Sequence, residues 1–151
     1  MQPSALVSPA SVNNADRLPV TMVTHVHLTM DAATLGQQTL ASSASTALKG
    51  LSLAREYVSY DFTTLCDLGS ADLEWPTVDL RNAINAGFVE GPWLIVAAHI
   101  LSASAGQGDL RGFYHPRWTI PVSAIADDAG SIKRVVRREH TLPVGSLARQ
   151  R

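Results

Sequence analysis

The sequence predicts an α/β fold with a parallel sheet, and three observations carry the prediction. Three apolar runs of strand length occur at residues 18–28, 62–66 and 93–98. Stretches of helical periodicity lie between them, and the spacing is short enough for successive β-α-β units with right-handed crossovers. Apart from Pro19, which opens the first run, proline and glycine fall between the runs rather than inside them.

Residues 1–17 are mostly Pro, Ser, Asn, Ala and Gln, too polar to offset the entropy of ordering, and read as a loose tail. The first strand, residues 18–28, opens at Pro19 and carries Val20, Met22, Val23, Val26 and Leu28. Across residues 34–60 the apolar positions Leu40, Ala44, Ala47, Leu48, Leu51 and Val58 recur at threes and fours, predicting a long helix with one buried stripe, weakened but not broken by Gly50. The second strand, residues 62–66, is β-branched and aromatic and ends at the turn-like Asp67-Leu68-Gly69. A second helix over residues 76–86 begins with Pro76 in its first turn, turns Leu80, Ala83 and Ile84 to one face, and stops at Gly87. Gly91-Pro92 leads into the third strand, residues 93–98, which is followed by a small-residue loop, 102–109. A last helix over residues 131–139 places Ile132, Val135 and Val136 inward and Lys133, Arg134, Arg137 and Arg138 in solvent.

Composition excludes several classes of function. The 151 residues allow one domain of ordinary size. Twelve Lys plus Arg against thirteen Asp plus Glu leave no basic footprint for nucleic acid or anionic lipid. The most apolar stretch is far shorter than the ~20 residues that span a bilayer, so no membrane segment is expected. The single cysteine, Cys66, has no partner for an internal disulfide, which fits a reducing, cytoplasmic location.

His25-Val26-His27 is the strongest local chemical signal. Residues two apart on a strand face the same side with Cα atoms about 6.6 Å apart, so both imidazoles can reach one cation. They also lie at the carboxyl end of the strand, where sites on parallel α/β sheets collect. Asp67, at the mouth of strand two, either caps a turn or stands behind the metal ligands. His99, on the same edge, reads as a solvent-bonded loop histidine with a minor alternative as a third ligand. His115 and His140 read as surface residues, and Cys66 as a small buried hydrophobe. The 102–109 loop has no lysine and no phosphate-loop pattern.

Leu18-Pro19 followed by Thr24-His25-Val26-His27-Leu28-Thr29 resembles the first-strand signature of the amidohydrolase superfamily. Phe62 to Gly69 resembles the second-strand segment of the branch holding imidazolonepropionase-like enzymes and metal-dependent Xaa-Pro dipeptidases. Leu80-Arg81-Asn82-Ala83-Ile84-Asn85-Ala86-Gly87 with Gly91-Pro92 resembles its next helix and turn, and residues 102–109 its glycine-rich loop. The likeness covers residues 18–139. It implies the first three or so β/α units of a TIM-type barrel, with His25 and His27 as metal ligands, Asp67 behind them, and one or two divalent ions, usually zinc. It further implies hydrolysis of a small amide or peptide-like substrate by metal-activated water.

The resemblance also marks what is missing. A full barrel takes about 250 residues. The family's lysine at strand four, its histidines at strands five and six and its catalytic aspartate at strand eight have no counterpart, so no catalytic residue is assigned. No lysine follows Lys133, and residues 140–151 diverge as a polar tail. Val20, Val23, Cys66, Trp93 and Gln107 replace residues usual in the family. The expectation is a truncated chain, inactive alone, with weak or absent metal binding. The alternatives are a small non-catalytic binding module, or half of a split hydrolase closed by a complementing chain.

Overall fold

The β-branched and apolar runs pair as three parallel strands: β1 (Thr21–Val26), β2 (Phe62–Asp67) and β3 (Trp93–Val96), in the order β1-β2-β3. The computed structural model describes residues 21–30, 41–70, 72, 74–115, 117 and 124–141. The expected tail at 1–17, the start of the first strand at 18–20, the first turns of the expected long helix at 34–40 and residues 142–151 of the expected tail at 140–151 lie outside the described residues, whereas His140 and Thr141 of that tail are helical.

The connecting helix α1 runs Ser43–Ser59, so its start lies nine residues beyond the expected one. Ser42 sets the start: its hydroxyl accepts the Ser45 amide at 3.2 Å, replacing a missing intrahelical bond. The buried stripe also differs from expectation. It consists of Thr46, Gly50 and Ala54, one turn apart, whereas Leu48 is 68% exposed and Val58 is exposed. Close approach explains the exchange, because a Cβ at Gly50 would lie 3.3 Å from the Leu28 carbonyl oxygen and 3.4 Å from Leu80 Cδ2. Small residues let the helix reach the loop after β1; leucines would hold it away.

Helix α2 (Pro76–Asn85) begins at the predicted residue and ends one residue before the predicted Ala86, which caps it, and Gly87, at φ +72°, donates to the Ile84 carbonyl at 3.0 Å. Leu80 is buried and Ala83 and Ile84 are half-buried, as expected. A 3-10 turn (Leu110–Phe113) closes the loop after β3, and helix α3 (Ala129–Thr141) extends the last predicted helix by two residues at each end. Its apolar stripe is only partly covered: Val135 is half-buried while Ile132 and Val136 are exposed.

The core lies between the sheet and α1 and α2, and comprises Val26, Leu28, Ala54, Leu65, Val78, Leu80, Leu94, Val96 and Ala98. On the other face, among the described residues, Trp93 is 48% and Ile95 40% exposed, while Thr64 of the central strand is buried between its neighbours. Strand β3 is thus buried on one face, not on both as its continuous apolar run suggests. No described helix is long and apolar enough to cross a membrane.

Candidate metal centre

The register of β1 on β2 places the two histidines. Val23 pairs with Leu65 and Val26 with Asp67, so three steps along β1 oppose two along β2, the signature of a β-bulge. Beyond the bulge Val26 and Leu28 are buried in the core, while His25 is exposed and His27 half-buried on the opposite side.

The two rings converge. His25 Nε2 and His27 Nε2 are 3.4 Å apart, with ring centroids at 5.3 Å and planes at 76°. Two nitrogen ligands at the usual ~2.05 Å from a tetrahedral ion would be about 3.3 Å apart, which matches the separation of this pair; the contact itself is a hydrogen bond in which one Nε2 donates to the other, and a cation would take the place of that proton. The tautomer of His27 suits the same role. Its Nδ1 lies 2.9 Å from the Gly69 carbonyl, which can only accept, so Nδ1 carries the proton and the neutral ring keeps its lone pair on Nε2.

Asp67 sits behind this pair as a buried clamp. Its Oδ2 accepts the Leu28 amide at 2.7 Å and its Oδ1 the Gly69 amide at 2.9 Å. It therefore caps the turn after β2 and fixes both the residue following His27 and the residue whose carbonyl holds the His27 ring. Burial raises the Asp67 pKa above the ordinary carboxylate value, against the lowering effect of the two amides and of His27. Gly69 is at φ +111°, and a Cβ there would lie 2.7 Å from the His99 carbonyl carbon. Only glycine allows this approach.

His99 differs from its sequence reading. It is buried rather than solvated, with Nδ1 2.9 Å from Glu139 Oε2 and Nε2 2.8 Å from the Glu74 carbonyl. Both nitrogens are engaged away from His25 and His27. Among the described residues no group of three or more His, Cys, Asp or Glu side chains is placed to hold a metal ion. His115 is exposed, its Nδ1 accepting from the Arg117 amide at 3.2 Å, and His140 is exposed. Cys66 is half-buried, not buried, because it pairs with Ile95 and shares that residue's open side of the sheet.

Several contributors are not evident from sequence. The Gly69 carbonyl has no side-chain signature beyond the glycine itself. Arg81 is almost fully buried, with Nε and Nη2 on Asn82 Oδ1 at 3.2 and 2.9 Å, and burial lowers its pKa. In the loop after β3, Arg111 grips Asp109 at 2.6 Å and holds that carboxyl well below the usual range, assisted by the Ala105 amide. These contacts shape the loop and supply nothing to the histidine pair.

No family model matches the sequence, and no curated protein matches it. Solved structures do. An amidohydrolase shares 24% identity at a TM-score of 0.67, and a Xaa-Pro dipeptidase with methionine bound in its active site 22% at 0.67; each comparison covers 82% of this chain and 31% of the other. A prolidase complexed with N-methylphosphonate-L-proline shares 25% at 0.63 over the same fractions. The chain spans about a third of the length of these structures. The resemblance to amidohydrolases and Xaa-Pro dipeptidases that the motifs suggest is thus present in the fold, over a part of such a chain.

Proposed function

We propose that the chain carries part of the metal centre of an amidohydrolase-type hydrolase, with His25 and His27 as two ligands of a divalent ion. The observation behind this reading is the 3.4 Å convergence of the two Nε2 atoms, with the His27 tautomer set by Gly69. Neutral imidazole nitrogens suit zinc. A bound ion of this kind lowers the pKa of water towards neutrality and polarises a carbonyl.

The chain's own residues hold and orient. His27 keeps its proton on Nδ1 and presents Nε2, and His25 completes the pair. Asp67 is a positioning residue, since it fixes Leu28 and Gly69 on either side of the His27 ring. A catalytic zinc generally has three protein ligands, so two imidazoles alone hold it weakly. The remaining ligands and the acid-base carboxylate would come from strands beyond these three, in the same or a complementing polypeptide. The exposed Trp93 and Ile95 on the uncovered sheet face support that arrangement. In this reading the described part alone is inactive. The dipeptidase and prolidase among the structural neighbours favour a small amide or peptide-like substrate cleaved at a C–N bond. A cytoplasmic site of action is the corresponding proposal, supported by the single cysteine.

Calorimetric titration with Zn²⁺ tests the pair. One ion should bind weakly to the wild type, and at least tenfold more weakly to His25→Ala and to His27→Ala. Equal binding by all three chains would overturn the assignment.

A further inference from the structure

A cavity of about 290 Å³ beside α3 is lined by His99, Leu101, Val135, Val136, Glu139 and His140. The two ends of α3 are held differently. Ahead of its first turn the backbone is fixed: Ser102 donates to the Ala124 carbonyl at 3.0 Å, Ala126 donates to the Ser102 carbonyl at 2.9 Å, and Asp127 accepts from the Ser104 amide and hydroxyl. In its last turn Glu139 accepts from His99. Between these ends Ile132 and Val136 are exposed, so apolar burial contributes little there.

The state of the His99 ring decides whether the second tie holds. Its Nε2 faces the Glu74 carbonyl at 2.8 Å and its Nδ1 faces the Glu139 carboxylate at 2.9 Å. A cationic ring donates to both. A neutral ring has one N–H and one lone pair, so one contact becomes acceptor against acceptor. Water relieves it poorly from the ring side, where the His99 side chain is 1% exposed, and reaches it only from the Glu139 side, 18% exposed. We infer that the His99–Glu139 pair is a pH-sensitive latch: the doubly protonated ring fastens the last turn of α3, and loss of one proton lets α3 swing on its N-terminal anchor and widen the cavity.

Other groups around the ring fit this behaviour. From α3, Arg138 lies 2.8 Å from Glu139 Oε1, so the carboxylate keeps a cation on its own helix when the latch opens. His140 shares the cavity wall. From the segment before α2 come the Glu74 carbonyl, whose amide donates to Asp72, and the Trp75 ring, edge-on at 5.7 Å. Among the described residues, the turn after β2 contributes backbone contacts of Gly69 and Ser70.

Residue-resolved hydrogen exchange on the full chain tests the latch. Protection in the last turn of α3, corrected for intrinsic exchange and referred to α2, should fall about tenfold between pH 5 and pH 8, the window in which histidines change charge. The step should be absent from His99→Gln. The ring N–H spectrum of the wild type gives a second readout independent of that variant: two His99 N–H signals at pH 5 and one at pH 8. Protection that does not change with pH, a step that survives in His99→Gln, or a ring with one N–H throughout would each overturn the latch.

Discussion

Asp67 carries more of the local architecture than either histidine, because its two oxygens hold the amides of Leu28 and Gly69. An amide side chain can accept only one of those bonds, so Asp67→Asn should cost about 1–3 kcal/mol in urea unfolding. The same substitution should change the pH dependence. A carboxyl whose folded pKa is raised by burial favours the folded state fully below its unfolded value, near 3.8, and loses that contribution as pH rises through the folded value. Wild-type stability should therefore carry a declining component above about pH 4 that Asp67→Asn lacks, measured as urea midpoints across pH. At Gly69, alanine meets both a positive φ and a 2.7 Å approach to the His99 backbone. Gly69→Ala should destabilise by about 1–3 kcal/mol in the same assay and release the His27 ring, seen as a changed Nδ1 resonance.

At the scale of elements, helix packing follows the smallest side chains. A side chain at residue 50 would place its Cβ 3.3 Å from the Leu28 carbonyl oxygen, so Gly50→Val should overpack this contact and cost about 1–3 kcal/mol by thermal or urea unfolding. Ser42→Ala should cost about 1 kcal/mol through loss of the α1 cap. These two sites also show what was legible in the sequence. The three parallel strands, α2 with its Pro76 start and Gly87 stop, and the convergence of His25 with His27 follow from local pattern. The buried face of α1 does not, because apolar periodicity points to Leu48 whereas close approach to Leu28 selects Gly50. The bulge after Val23 leaves no mark in β1 itself, since it depends on pairing with β2. The partner of His99 is 40 residues away, beyond any spacing rule.

For the whole molecule, the open sheet face sets the behaviour in solution. Trp93 and Ile95, paired with Thr64 and Cys66 of β2, are exposed on the side away from the core. Replacing both with Trp93→Ser and Ile95→Thr should reduce self-association in sedimentation velocity, while shifting the unfolding midpoint little, because neither residue belongs to the core. The sheet edge that carries the two histidines belongs to a fold that matches about a third of an amidohydrolase and of a Xaa-Pro dipeptidase. The central claim is that His25 and His27 bind one metal ion together. Zinc-edge X-ray absorption on the zinc-loaded full chain tests it most directly. The account predicts two imidazole nitrogens at about 2.0–2.1 Å, lost in the His25→Ala, His27→Ala double variant. A first shell without imidazole, or one unchanged in the double variant, would contradict it.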